Sequence, residues 1–317
     1  MTGSPREGLP GHAIERIAAF VGPDRGLGAV TRLPPKPLVA DYCDKFIALD
    51  QAGRPAAFIV LSPASHPRSV LDAVEATRRV AQALGPALAD TVLLPHFVGD
   101  LDGRSWSITA YRRPMSAGRL SGRWQRLRLR PAALAWLARL TRHTAAPIAA
   151  LDGEVRAPLQ ALVEHPAIDA ATRAAAASAL GELDGGAWLP RSVVAHNDLW
   201  WGNFVHRDSP APAGTPFQVI DWAGADVRGG AIYDLLRLGM SLGMSARQLA
   251  PQVDAHCALL GCTRAQSLHY LSLSLARLSR NLGEWPVAQF ASTASDCLRV
   301  ASAALASASR SRSRSDR

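Results

Sequence analysis

Four polar residues near the ends of two apolar segments are the part of this sequence best suited to chemistry. His196, Asp198 and Asn203 follow one apolar segment, and Asp221 ends a second one at 217–220. Phosphoryl transfer needs a carboxylate that orients an attacking hydroxyl and accepts its proton, and oxygen ligands that hold Mg²⁺ on the nucleotide phosphates. Asp198 on a tight loop suits the first task. Asn203 and Asp221 suit the second, because Mg²⁺ needs few protein ligands beside phosphates and water.

A simpler interpretation of the same loop is a turn rich in Asp and Asn. These residues favour turns because their side chains form hydrogen bonds with their own backbone. A turn alone does not explain the second apolar segment and its terminal Asp221. The pairing of the two segments therefore favours the chemical interpretation.

Composition and length limit the class of protein. The chain has 317 residues, of which 48% are hydrophobic and 19% charged, and this is typical of a globular protein with one large or two smaller domains. A peptide-sized module, a collagen-like chain and wholesale disorder are excluded. Four cysteines in a chain of this size, no apolar signal core and no run approaching about 18 apolar residues predict a cytoplasmic protein without a membrane span.

The charge balance is basic, with 35 Lys and Arg against 26 Asp and Glu. This favours neutral or anionic partners and does not indicate a specific nucleic acid. The alternating Ser and Arg of residues 310–317 predict a disordered, solvated tail. An anion- or nucleic-acid-binding protein driven by its arginines remains an alternative, and the oligomeric state is left open.

The secondary structure pattern changes near residue 114. Before it, residues 27–63, 92–99 and 105–112 predict about five strands, with an amphipathic helix at 69–84 between them. After it, helices are predicted at 131–146, 169–182, 231–243, 246–260, 264–281 and 285–309, while the Leu/Arg alternation at 127–130 predicts an extended piece. The chain is therefore predicted to be α+β, with a small antiparallel-sheet lobe (1–115), a larger, mostly helical lobe (116–309) and the tail (310–317).

The motif residues also carry a family resemblance. His196-Asn-Asp-Leu-Trp-Trp-Gly-Asn resembles the His-Gly-Asp-Leu-x-x-Gly-Asn motif of the aminoglycoside phosphotransferase and choline kinase-like family. Ile220-Asp-Trp and the Asp234-Leu pair resemble two further family motifs. The resemblance implies a two-lobed protein kinase-like fold, the cofactors ATP and Mg²⁺, and a small-molecule hydroxyl acceptor.

The resemblance also implies a role for each matching residue. Asp198 would be the catalytic base, and His196 would brace the catalytic loop. Asn203 and Asp221 would be the metal ligands. Asp234 would be a structural residue that ties down the loop from the start of a helix.

The first lobe departs from the family pattern at a lysine. The family places a Lys on the third strand, paired with a Glu on the following helix, whereas this sequence has Val60 or Leu61 at that place. Glu75 is the candidate for the Glu. We hypothesise that Lys45 on the neighbouring strand supplies the cation for the nucleotide phosphates, with Lys36 as its rival, because a lysine has a long flexible stem.

The charge of the later helices bears on the acceptor. Residues 235–309 contain six Arg against three acidic residues, and this opposes a polycationic acceptor such as an aminoglycoside. The sequence thus predicts transfer of the γ-phosphate of ATP to a neutral or anionic small molecule, such as a sugar, a phosphorylated metabolite or a glycolipid head group. The alternative is a nucleotide-binding kinase-like protein that is catalytically weak or inactive, because the usual lysine is missing.

Overall fold

The N-terminal part of the chain forms a five-stranded antiparallel sheet in the order β1-β2-β3-β5-β4. The computed structural model describes residues 9–34, 43–116, 118–208, 215–282 and 285–315. The strands are β1 (Leu27–Arg32), β2 (Asp44–Asp50), β3 (Pro55–Leu61), β4 (Phe97–Leu101) and β5 (Arg104–Ala110). The predicted antiparallel sheet is thereby confirmed.

Helix α1 (Gly11–Val21) covers one face of this sheet. Its buried Ile17 packs in one core with Phe46 of β2 and side chains from the other strands. Side chains alternate between the two faces of a strand, so Lys45, next to Phe46, lies on the face away from α1. In the β2–β3 register Lys45 stands directly opposite Val60.

Helix α2 (Ser69–Leu88) leads from the sheet towards the C-terminal part. Its first amides are capped by the sheet, because Val70 N donates to Ser62 Oγ at 3.0 Å and Leu71 N donates to Ser105 Oγ at 3.1 Å. The second half of the helix packs in a core shared with the helices that follow. This helix therefore connects the two parts of the molecule.

Helices dominate the C-terminal part, as the sequence predicts. They are α3 (Arg119–Thr144), α4 (Ala157–Glu164), α5 (Ala170–Asp184), α6 (Tyr233–Ser241), α7 (Ala246–Leu260), α8 (Ser267–Ser279) and α9 (Val287–Ser315). Short strands among them are β6 (Ala146–Pro147), β7 (Arg191–Ala195), β8 (Phe204–His206), β9 (Phe217–Val219) and β10 (Asp226–Gly229), which form the sheets β10-β7-β6 and β8-β9. Within the described ranges, no helix is long and apolar enough to cross a bilayer.

Helices α3 and α9 extend furthest beyond their predicted ranges. Helix α3 begins at Arg119 and includes residues 127–130, because Leu and Arg both favour helix and their alternation is misleading there. Helix α9 continues to Ser315 and so includes residues 310–315 of the predicted tail. No Gly or Pro follows Val287 to stop that helix. Residues 316–317 of the predicted tail lie outside the described residues.

A buried aromatic cluster fixes the strand ends that carry the predicted site. Trp136 of α3 lies edge-on to Phe204 and to Trp222, with ring centroids 6.0 and 6.5 Å apart. Phe204 directly follows Asn203 in the sequence, and Trp222 directly follows Asp221. Packing against α3 therefore holds both predicted ligand residues at one end of the small sheets.

Candidate active site

The loop after β7 begins with a sharp change of direction. Strand β7 is buried and ends at Ala195, and His196 is also buried. Asn197 then adopts the left-handed conformation, with φ at +66°, which Asn tolerates better than most residues. This turn brings Asp198 out of the buried strand to an exposed position.

A buried carboxylate holds that turn in place. Asp234, near the start of α6, accepts hydrogen bonds from His196 N at 2.6 Å and from Asn197 N at 3.0 Å. Burial raises the pKa of Asp234, and the two amide bonds oppose this rise because they favour the carboxylate. We call this arrangement the Asp234 clamp. It agrees with the structural role that the resemblance implies.

His196 links the turn to the second strand. Its Nε2 donates to the carbonyl oxygen of Ile220 at 2.9 Å, and its ring centroid lies 4.5 Å from that of Trp222. Its side chain is buried, with the residue only 2% exposed. These contacts brace the segment before Asp221.

Asn203 is also buried and joins the two halves of the site. Its Nδ2 donates to the Asp198 carbonyl oxygen at 2.9 Å, and its own carbonyl oxygen accepts from Ile220 N at 2.9 Å. Within the described part of the chain, Asn203 Oδ1 has no hydrogen-bond partner. The amide is therefore oriented by its Nδ2, and its Oδ1 is left to accept a further contact.

Asp221 is exposed and adopts a φ of +66° directly after Ile220. Its carboxylate forms no hydrogen bond or ion pair with any residue in the described ranges. One free carboxylate and one free amide oxygen fit Mg²⁺, which keeps water and phosphate among its ligands. The described residues contain no group of three His, Cys, Asp or Glu side chains that could hold a metal by themselves.

A cavity of about 740 Å³ opens beside Asp198. Its walls come from α2, the Asn197 turn, the β10 segment and the helices α6, α8 and α9. The charged lining residues are Arg79, Asp198, Asp226, Arg237 and Arg277, and uncharged polar groups come from Asn197, Ser274, Asn281, Gln289 and Thr293. Gly230 lies so close to α8 that a Cβ there would be 2.9 Å from the backbone of Ser274.

Two of the three arginines that line this cavity lie beside carboxylates. Arg237 lies 3.3 Å from Asp198 Oδ1, and Arg277 is held 3.5 Å from both Asp226 and Glu154. Burial lowers the pKa of Arg277, and the two carboxylates oppose this effect. Arg79 is exposed and forms no ion pair or hydrogen bond with a described residue, so it leaves a cationic group at the cavity wall.

Two of the three predicted nucleotide-binding residues of the first lobe lie on described elements, Lys45 on β2 and Glu75 on α2. Lys45 is half-buried, on the sheet face that is away from α1. Glu75 of α2 is exposed and, among the residues described, forms no hydrogen bond or ion pair. Lys36 lies outside the described residues. The roles of these three residues stay predictions.

Arg237 contacts the predicted base, although the sequence singles it out only as one of the six arginines in residues 235–309. A signal was present, because Arg237 follows Asp234 by three residues on α6 and thus lies on the same side of that helix. Arg79 carried no such signal, because its place at the cavity depends on how α2 packs.

The substitution Asp234→Asn tests the Asp234 clamp. Asn has one acceptor oxygen, so one of the two amides would face an NH₂ group instead. We expect the free energy of unfolding to fall by about 1–3 kcal/mol, the cost of leaving one buried donor unsatisfied, as measured by urea denaturation. As a control, Asp296→Asn makes the same change at a half-exposed carboxylate and should shift the value by less than about 0.5 kcal/mol. Equal losses in the two variants would contradict the clamp.

Comparison of the sequence with protein-family models and with curated proteins finds no match. Solved structures do match. Choline kinase LicA from Streptococcus pneumoniae is 11% identical with a TM-score of 0.51, over 92% of this chain and 99% of that one. APH(2")-IIia, crystallised with GDP and kanamycin, is 15% identical with a TM-score of 0.48, over 92% and 98%. A choline/ethanolamine kinase family protein from Mesorhizobium loti is 16% identical with a TM-score of 0.48, over 92% and 94%.

At such low identity the comparison bears on the fold alone. The similarity in fold extends over nearly the whole of the choline kinase structure. The chain therefore has the predicted two-lobed, protein kinase-like fold, an antiparallel sheet followed by a mostly helical part, and shares this fold with that structure.

Proposed function

We propose that this protein transfers the γ-phosphoryl group of ATP, with Mg²⁺, to a hydroxyl group of a neutral or anionic small molecule. The observation that carries the proposal is a continuous set of contacts. Asn203 binds the backbone of Asp198, and the backbone of Asn203 binds Ile220, the residue before Asp221. The candidate base and both candidate ligands thus belong to one hydrogen-bonded unit, and Asp198 of this unit lines the cavity.

In this reaction the acceptor oxygen forms a bond to the γ-phosphorus, and the bond from that phosphorus to the β–γ bridging oxygen breaks. Asp198 orients the acceptor hydroxyl and takes its proton, and ADP leaves. Asn203 Oδ1 and the Asp221 carboxylate would hold Mg²⁺, which neutralises charge on the phosphates. Arg237 keeps the Asp198 carboxylate in place through its 3.3 Å contact.

The charges and side chains of the cavity wall support the proposed acceptor class. A polycationic acceptor would need carboxylates around it, but the described lining has three Arg against two Asp. Trp285 is the single aromatic side chain in the described lining, whereas quaternary ammonium groups are usually bound by several aromatic rings. The Asn, Ser, Gln and Thr side chains suit hydroxyl groups, and Arg79 suits an anionic group.

A second candidate function is nucleotide binding with little or no catalysis. The observation that favours it is strand β3, which has Val60 or Leu61 at the place of the usual third-strand lysine. Lys45 stands directly across from Val60, and opposite side chains on neighbouring strands are about 5 Å apart. This register supports Lys45 as the replacement cation and thereby favours the catalytic candidate.

The first experiment compares turnover and nucleotide binding in Asp198→Asn and Asp221→Asn. Loss of a general base costs about 10²–10⁴-fold, so Asp198→Asn should lower kcat by that amount while ATP still binds. Asp221→Asn should weaken Mg²⁺-dependent ATP binding as well. ADP release measures turnover, and calorimetry measures binding. Asp296→Asn is the matched control, and a native rate no higher than that of Asp198→Asn would favour the non-catalytic candidate.

A second experiment tests Lys45. We expect Lys45→Val to weaken ATP binding and lower turnover about tenfold or more, because a charge-assisted contact to phosphate is worth roughly 1.5–3 kcal/mol. The double variant K45V/V60K moves the lysine to the facing position and should restore part of the loss. Lys36→Ala tests the rival lysine in the same assays. Unchanged turnover in Lys45→Val with a loss in Lys36→Ala would assign the role to Lys36.

A third experiment tests the acceptor class with a neutral sugar, its phosphate monoester and a cationic amino sugar. We expect the amino sugar to give the lowest kcat/KM. Arg79→Gln should lower kcat/KM for the phosphate monoester about tenfold, the worth of one charge-assisted hydrogen bond. It should leave kcat/KM for the neutral sugar unchanged. The control is Arg78→Gln, which removes the neighbouring exposed arginine that does not line the cavity and should leave both values unchanged. A preference for the amino sugar would refute this acceptor class.

A further inference from the structure

The first three turns of α3 expose an apolar line of side chains. Leu120, Trp124 and Leu127 are 86%, 62% and 50% exposed. Residues spaced by four and three positions lie on one side of a helix, so the three side chains form a continuous strip. We call this strip the α3 stripe.

The side of α3 opposite to the stripe is attached to the protein. Gly122 is buried, and Gln125 accepts a hydrogen bond from Ser116 N at 2.6 Å and contacts His206 Nε2 at 2.7 Å. Leu129 packs against the core of the C-terminal part. Because these contacts fix the rotation of the helix, it cannot turn to bury the stripe. An ordinary surface helix has the reverse arrangement, with its apolar side inward.

Arginines surround the stripe. The segment 119–130 has five Arg and no acidic residue. Arg123 and Arg128 flank the stripe on its two sides, since successive helical residues are about 100° apart. The Arg128 guanidinium lies 5.3 Å from the ring centroid of Trp124. None of the five arginines forms a hydrogen bond or ion pair with a described residue, so their charges remain available.

We propose that the α3 stripe and its arginines bind the surface of a bilayer that contains anionic lipids. Leucine and tryptophan side chains enter the boundary between head groups and acyl chains, and flanking arginines contact lipid phosphates. The charge argues against a second copy of this chain as the occupant, because a symmetric pair of stripes would bring two sets of five arginines together. The helix lies on the membrane in this arrangement and does not enter its centre.

The test measures binding of the full native chain to vesicles by sedimentation. One set contains phosphatidylcholine alone, and in the other about a third of the lipid is phosphatidylglycerol. We expect binding to the anionic set only, and weaker binding as the salt concentration rises. Absence of binding to the anionic set, or equal binding to both sets, would overturn the proposal.

Two variants separate the apolar and charged contributions. L120S/W124S/L127S should lower the partition coefficient about tenfold or more, because it removes the inserted side chains. R123Q/R128Q should lower it about 30-fold, since each arginine near an anionic surface contributes roughly a fivefold factor. All five positions are exposed, so the unfolding temperature should remain that of the native chain.

The matched control is R142Q/R247Q, which removes two exposed arginines elsewhere. It should retain near-native binding. A loss equal to that of R123Q/R128Q would mean that binding depends only on the net charge of the protein, and it would overturn the proposal. Light scattering tests the competing occupant. A native dimer that L120S/W124S/L127S converts to a monomer would show that the stripe joins two copies of this chain. ATP turnover without vesicles should be unchanged in every variant, so the result does not depend on the proposed catalysis.

Discussion

The candidate site depends on one buried carboxylate that accepts hydrogen bonds from two backbone amides. Without Asp234, the amides of His196 and Asn197 would be buried donors with no acceptor where the strand turns. The clamp makes the left-handed turn at Asn197 stable, and this turn directs Asp198 outward. The remaining contacts of the site begin from that turn. The position of the candidate base Asp198 therefore depends on Asp234, a residue with a structural role.

The loop could be predicted from the sequence because its parts are local. His196, Asp198 and Asn203 lie within eight residues, and Asn203 contacts Asp198 directly. The alternation of strands and the helical periodicity likewise led to the two-part architecture. The start of α3 could not be predicted in this way, because alternating Leu and Arg residues satisfy an extended pattern and a helix equally well. Contacts made by Gln125 on the inner side of the helix select the helix.

The cavity could not be predicted from the sequence because its walls come from distant segments. Arg79 and Arg277 are almost two hundred residues apart in the chain, yet both line the space beside Asp198. The total charge of the later helices indicated the sign of this wall but not its members. The strand that carries Lys45 could be predicted, but its position opposite Val60 could not, because the sequence does not show the register between β2 and β3. The lobe boundaries and the roles of the nucleotide-binding residues stay predictions.

The close approach of Gly230 to α8 also limits the width of the cavity beside Asp198. At this position only a hydrogen atom separates the β10 segment from the backbone of Ser274. A methyl group there would push α8 outward, and with it the wall that carries Arg277 and Leu278. The distance across the cavity from Asp198 to α8 thus depends on the smallest side chain available. A wider cavity would have to come from the α2 wall or from shorter side chains.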